Sequence, residues 1–214
     1  GAGASYARAL TELGADVVEI DPPFGPLTPG DPDAEAFLQS AVLENEADMG
    51  VALDADGTRC LLMGPDGKAL SGNRLIALMA AILLEEHPGA TFVTDSVTSS
   101  GVARFITEWG GTHYRFKRGH LNVTSEARRL NEEDIDCPLA IETSGHAAMR
   151  ENFFLDDGAY LATVVLSKAL TMKRDGGSIT DLIGELAEPV ESAEIRMRIL
   201  APDYRAAAQS AIET

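Results

Sequence analysis

The chain has 214 residues, 45% hydrophobic and 24% charged, the proportions of an ordinary globular protein long enough to bury a core. Its 34 acidic against 17 basic side chains leave a formal charge of -17, which repels nucleic acid and anionic lipid and excludes a general phosphate-backbone binder. The longest apolar run, Leu75–Leu84, is too short to cross a bilayer and no signal peptide is visible, so neither a membrane nor an export route is expected.

Gly1-Ala-Gly-Ala-Ser looks like a strand-to-helix turn whose strand is cut away, and the chain reads as a fragment. Tyr6–Leu13 has helical character and stops at Gly14, a C-cap. Asp16–Ile20 alternates as a strand does. Asp21–Pro32, with Pro22, Pro23, Pro26, Pro29 and Pro32, is an irregular loop. Asp33 then caps a helix from Ala34 to about Glu46, with Phe37, Leu38, Ala41 and Val42 on one face. Met49–Leu53 and Cys60–Met63 flank a short acidic turn, and Pro65-Asp66-Gly67 makes a second turn, so this first unit ends near Leu70.

Strands and helices alternate from there. Helices are expected over Asn73–Glu86, Val102–Glu108, Leu121–Leu130 and Ala159–Leu170, and strands over Thr91–Thr94, Thr112–Lys117 and Leu139–Ile141. Lys173–Ser178 is a connector and Thr180–Leu186 a short helix. Glu194–Leu200 and Pro202–Glu213 read as a strand and a helix beginning another unit. The fold class is α/β: two α/β units with mainly parallel sheets covered by helices, plus the start of a further domain. Ligands of such sheets gather at the carboxyl ends of the strands, which selects Asp95–Ser100, Arg118–His120 and Glu142–His146. Cys60 and Cys137 sit far apart among apolar residues, as buried thiols of a cytoplasmic protein do, with one disulfide as the alternative.

Three stretches carry chemistry. In Asp54-Ala-Asp56-Gly57-Thr58-Arg59 two carboxylates and a hydroxyl, two residues apart, can turn three oxygens toward one hard cation, and Arg59 can grip phosphate. The same residues also make an ordinary hairpin turn. They do not make an EF-hand, whose sixth and twelfth places would here be Arg59 and Pro65. Arg115-Phe-Lys117-Arg118-Gly119-His120 is the chief basic cluster of an acidic chain. Alternation sets Arg115 and Lys117 on one face of the strand, and Lys117, Arg118 and His120 can gather at its end to attract phosphate. In Glu142-Thr143-Ser144-Gly145-His146 a carboxylate, a hydroxyl and an imidazole lie around a glycine turn, the groups that hold sugar hydroxyls and move protons. Asp156-Asp157-Gly158 supplies an N-cap for the next helix. His87 and His113 read as structural or solvent-facing, and Trp109 as a core or rim residue.

Taken together these stretches resemble the α-D-phosphohexomutases, phosphoglucomutase and phosphomannomutase. Asp54, Asp56 and Arg59 match that family's Asp-Gly-Asp-Gly-Asp-Arg metal loop, with Thr58 in place of its third aspartate. Lys117, Gly119 and His120 match a Lys-x-Gly-His segment, and Glu142, Ser144, Gly145 and His146 match the Glu-x-Ser-Gly-His sugar loop. The resemblance implies domain two over 1–70, domain three over 71–187 and the start of domain four over 188–214. It implies Mg²⁺ on Asp54, Asp56 and Thr58, held weakly or not at all by this chain. It also implies a hexose phosphate bound by Lys117, Arg118, Gly119, His120, Glu142, Ser144 and His146, with Arg59, Lys117, His120 and His146 as the catalytic set. The family's Ser-His-Asn-Pro and Arg-x-Ser-Gly-Thr segments are absent from these residues, as is the lysine that some relatives carry between residues 95 and 100. A non-catalytic sugar-phosphate binder of mutase descent is the alternative. A nucleotide-binding module, suggested by Gly1-Ala-Gly3 before a helix, has too few glycines and no preceding strand.

Overall fold

The computed structural model describes residues 2–22, 31–189, 203, 205 and 206. Helix α1, Ala2–Glu12, closes as expected at Gly14. There φ is +94° and the Ala15 and Gly14 amides return to the Leu10 and Thr11 carbonyls, both at 3.0 Å. The strand expected over 16–20 is not formed. No second strand pairs with it among the described residues, and unpaired strand backbone is not stable alone. The expected strand over 194–200, most of the helix over 202–213, and residues 23–30 of the proline-rich loop lie outside the described residues.

Helix α2 spans Pro32–Glu44 and is capped by Asp31, whose carboxylate accepts the Asp33 amide at 3.0 Å. The cap is therefore not Asp33. Proline is favoured at the first helical position because its missing N–H would have no partner there, so Pro32 starts the helix and ends the loop. Ala34, Leu38 and Val42 bury against Ala52, Leu61 and Met63 of a three-stranded sheet. Its strands are β1 (Gly50–Leu53), β2 (Cys60–Met63) and β3 (Ala69–Leu70), in the order β1-β2-β3. Both pairings are antiparallel, as the two short turns dictate, so the parallel character expected of both units is confined to the second. All four residues of β2 are buried, because Leu61 and Met63 face α2 while Cys60 and Leu62 join the larger core behind.

The second unit runs α3 (Gly72–Leu84), β4 (Thr91–Thr94), α4 (Ser100–Glu108), β5 (Thr112–Arg115), α5 (His120–Glu132), β6 (Leu139–Ile141), β7 (Ala147–Met149) and α6 (Gly158–Arg174). Short 3-10 turns follow β7 and α6, at Arg150–Asn152 and Ile179–Ile183. The second takes the place of the helix expected over 180–186, and the connector shrinks to 175–178 because α6 continues through Arg174. The sheet order is β5-β4-β6-β7, with β4 parallel to both β5 and β6, and β7 antiparallel to β6. Strand β7 is an addition to the sequence reading. One face of this sheet packs Phe92, Leu139 and Ile141 into the same core as Leu62 and Leu70. The other packs Val93, Ala140 and Ala148 under Val123, Ala127 and Leu130 of α5. Every residue from Leu75 to Ala81 is buried, so α3 joins the two sheets through one continuous core. No helix among the described residues is long and apolar enough to cross a membrane.

Candidate active site

Because β4, β5 and β6 are parallel neighbours, their carboxyl ends lie side by side, and the residues that follow them meet. Asp95, immediately after β4, is fully buried. Its Oδ1 accepts from the Thr98 hydroxyl at 2.7 Å, and its Oδ2 accepts from the Thr143 hydroxyl at 2.8 Å. The Arg118 guanidinium stands 3.9 Å from Oδ2, a charge partner that helps hold a carboxylate in the interior. Glu142, after β6, is also buried and accepts the Gly119 amide on Oε1 at 2.6 Å. Gly119 has φ +122°, a conformation that side chains disfavour, and it opens α5 with His120 as the first helical residue.

The β6–β7 hairpin reverses at Gly145, φ +93°, which brings His146 back beside Glu142. The His146 Nδ1 lies 2.6 Å from Asp156 Oδ2, and the His120 Nδ1 lies 3.7 Å from the same oxygen. The two imidazole rings are 5.4 Å apart. Asp156 reaches this point through a strained turn in which Phe153 and Phe154 have φ of 55° and 54°. Such backbone costs on the order of 1–3 kcal/mol per residue and persists only when neighbours hold it. Arg128 of α5 does so, donating to the Phe153 carbonyl at 2.7 Å and lying 5.1 Å from the Phe154 ring centre. The next residue, Asp157, is the N-cap of α6 and accepts the Tyr160 amide at 2.9 Å.

The acidic loop satisfies itself. Asp54 accepts from the Arg59 amide at 3.1 Å and from Arg59 Nε at 2.8 Å. The Thr58 hydroxyl lies 2.9 Å from Asp56 Oδ1 and 3.4 Å from Asp54 Oδ2. Side-chain and then backbone hydrogen bonds from Thr58 hold the Asp56 carboxyl below its ordinary range. The loop touches the sugar-loop candidate directly, since Arg59 pairs with His146 in an antiparallel bridge. It is pinned from behind by the Gly158 amide, which donates to the Gly57 carbonyl at 2.8 Å. A side chain at Gly158 would sit 2.5 Å from the Arg59 carbonyl carbon, so α6 approaches this closely only because residue 158 is glycine.

Residues 54–59, 119–120 and 142–146 are therefore contiguous. Lys117 is exposed and makes no ion pair among the described residues; β5 stops at Arg115, short of the strand expected through Lys117. The Ser144 hydroxyl is buried without a partner. Two acidic residues at the centre escaped the sequence-based site. Asp95 had only its strand-end position to mark it, and Asp156 was absorbed into a capping doublet in which Asp157 alone caps. Cys60 and Cys137 are free, buried thiols, and burial first, then the Asp54 charge, pushes Cys60 up to about 12. A concavity of about 470 Å³ lies elsewhere, between α2 and the β2–β3 turn beside Glu35, Gln39 and Lys68, and it holds none of these groups.

Residues 71–190 match the family described as phosphoglucomutase/phosphomannomutase, alpha/beta/alpha domain III. The phosphomannomutase of Salmonella typhimurium is 30% identical over 172 residues, covering 80% of this chain and 36% of its own length. The phosphomannomutase/phosphoglucomutase of Pseudomonas syringae pv. tomato is 29% identical over 206 residues, 92% of this chain and 42% of the relative. The phosphoglucosamine mutase of Rhizobium etli is 32% identical over 206 residues, 92% of this chain and 44% of the relative. A solved phosphoglucomutase/phosphomannomutase family structure from Burkholderia thailandensis superposes with a TM-score of 0.75 at 28% identity, over 88% of this chain and 41% of that one. The chain thus spans 36% to 44% of the length of these curated relatives. With that domain profile covering more than half of its residues, the chain belongs to the phosphoglucomutase/phosphomannomutase family.

Proposed function

We propose that the chain supplies the metal loop and sugar-binding loops of a phosphohexomutase that interconverts hexose 6-phosphate and hexose 1-phosphate. Its domain two ends near Leu70, its domain three covers 71–187, and a further domain starts at 188. The observation that carries this reading is the meeting of three loop tips: Arg59 pairs with His146, Glu142 holds Gly119, and Asp156 links His146 to His120. In the reaction a phosphoserine gives its phosphoryl group to one sugar oxygen, and the bisphosphate turns over. The opposite phosphoryl group then returns to the serine. Each transfer moves one proton off the attacking hydroxyl and one onto the leaving oxygen, a task for His120 and His146.

Lys117 and Arg118 meet the phosphate that is not being transferred, and Glu142 binds ring hydroxyls. Ser144 joins it only when the loop turning at Gly145 shifts, since its hydroxyl is closed off here. Arg59 holds Asp54 through Nε, which leaves its terminal nitrogens for phosphoryl oxygens. The converging oxygens of Asp54, Asp56 and Thr58 suit a hard cation such as Mg²⁺, with one carboxylate fewer than the family loop. Bound there, it would offset charge on the transferring group. The two buried free thiols support a cytoplasmic setting.

Glucose 6-phosphate or mannose 6-phosphate titrated into the isotope-labelled chain is expected to shift the amide resonances of Gly119, His120, Glu142, Gly145 and His146. Shifts confined to other regions, or none at millimolar ligand, would overturn the reading. The chain by itself is expected to give no mutase turnover, and a normal rate would refute that. Thr58 and the missing lysine between 95 and 100 favour a second reading, a non-catalytic hexose-phosphate binder.

A further inference from the structure

We infer that His120, His146 and Asp156 form a site for a borderline divalent cation of the Zn²⁺ class, distinct from the oxygen-lined loop at residues 54–58. Three elements contribute: the first turn of α5, the β6–β7 turn and the strained turn before α6. Their candidate ligand atoms all lie within 4.8 Å of one another. Both Nδ1 atoms lie close to one carboxylate oxygen, at 2.6 and 3.7 Å, so a cation bound there displaces only the His146–Asp156 hydrogen bond.

Ligand chemistry separates this site from its neighbour. Imidazole nitrogen suits Zn²⁺, Ni²⁺ and Cu²⁺, whereas Mg²⁺ selects carboxylate, phosphate and water oxygens. The acidic loop offers only oxygens, and the His120–His146 pair is what a borderline ion prefers. Two imidazoles and one carboxylate leave further coordination positions open, as in catalytic rather than structural zinc sites. The side chains are partly accessible, 25% for His120, 27% for His146 and 16% for Asp156, so an ion can enter. Asp156 is also held ready. Arg128 fixes the turn that carries it, and Asp156 Oδ1 is buried without any partner, an acceptor that the protein leaves unsatisfied. A cation here would occupy the place where the hexose is expected, so the site would work as an inhibitory latch; that consequence, unlike the binding itself, rests on the proposed function.

Calorimetric titration of the whole chain with ZnCl₂ tests the site. One Zn²⁺ per chain is expected, unaffected by excess MgCl₂. Asp156→Asn and His120→Gln are each expected to weaken binding by about tenfold or more. His120 is the first residue of α5 and partly accessible, so its variant keeps the test valid if another variant misfolds. His87→Gln, an imidazole paired with Asp136 beside the amino end of β4, is expected to change nothing. The Co²⁺-loaded chain should show a ligand-field spectrum that His146→Gln removes. No binding of Zn²⁺, or binding indifferent to both the His120 and Asp156 variants, would overturn the site. Glucose 6-phosphate is expected to raise the apparent Zn²⁺ dissociation constant, with inorganic phosphate as the reference for simple chelation. Zn²⁺ binding that ignores the sugar phosphate while still needing the two histidines would leave the metal site standing and defeat the sugar-facing reading of them.

Discussion

The two loops that touch at the Arg59–His146 bridge settle their charges in opposite ways. The 54–59 loop is closed on itself: each of its carboxylates is met by Thr58 or Arg59, at most five residues away. In the 142–146 loop the side chains that are bonded find their partners at a distance. Glu142 takes an amide from the start of α5, Thr143 gives its hydroxyl to Asp95 after β4, and His146 meets Asp156 ahead of α6. A self-bonded loop can form before the rest of the chain is in place. The sugar-loop candidate acquires its shape only once β4, β6, α5 and α6 are assembled.

The contrast breaks most sharply at Asp95. Asp95→Ala removes the acceptor shared by Thr98 and Thr143 and leaves both hydroxyls without a partner, at an expected cost of about 3 kcal/mol. Urea unfolding should read that loss, and the amide signals of residues 142–146 should broaden while those of 54–59 stay in place. Gly158→Ala attacks the junction between the loops. The added carbon would press on the backbone of Arg59 and Cys60, at 2.5 and 2.9 Å, and neither can rotate away. A loss of about 2 kcal/mol is expected, together with a changed environment at both Thr58 and His146. A change at only one of the two would show that the loops are independent.

Sequence patterns showed what is local in this molecule and missed what is made by distant partners. The Gly14 cap and the turns at Gly67 and Gly145 follow from a few adjacent residues, and they are present. Asp16–Ile20 alternates like a strand yet has no pairing neighbour, because pairing depends on another segment and not on alternation. Ala147–Met149 pairs through register with β6, and three small or flexible residues carry too little periodicity to reveal it. Asp31 could have been read as the cap of α2, since aspartate followed by proline is a helix start; the density of prolines before it hid the signal. Asp156 could not. Its role depends on the left-handed Phe153-Phe154 turn and on Arg128 from another helix.

His113 supplies a crossing contact with a pH signature. It bonds the Thr94 hydroxyl at 2.7 Å between β5 and β4, and burial first, then the Arg115 charge, pushes it down to about 4 from the ordinary 6.5. The folded chain therefore keeps His113 neutral in a range where the unfolded chain takes up a proton. Its contribution is fully present above pH 6.5 and is lost as pH falls toward about 4. Carboxylates of the acidic surface titrate in the same interval, so the informative quantity is the difference between the parent chain and His113→Gln. The stability of the two should converge as pH drops through that window. A constant gap would assign the pH dependence to other groups.

The smallest expected effect on stability tests the self-contained loop alone. Thr58→Asp removes a hydroxyl that donates to Asp56 and sets a third carboxylate beside two others. Without metal, like charges then crowd an exposed turn that Arg59 balances only in part, and a loss of a few tenths of a kcal/mol, roughly the scale of an exposed ion pair, is expected. With Mg²⁺ the sign reverses, because affinity for a hard cation rises with the number of carboxylates. About a tenfold gain in affinity, close to 1.4 kcal/mol, should appear in calorimetry. Since the bonds to the loop's carboxylates all come from within it, the gain should be the same in chains with and without Asp95→Ala. Coupling between the two substitutions would mean that the loop's geometry is imposed by the parallel sheet after all, and the division between local and assembled halves of the site would have to be redrawn.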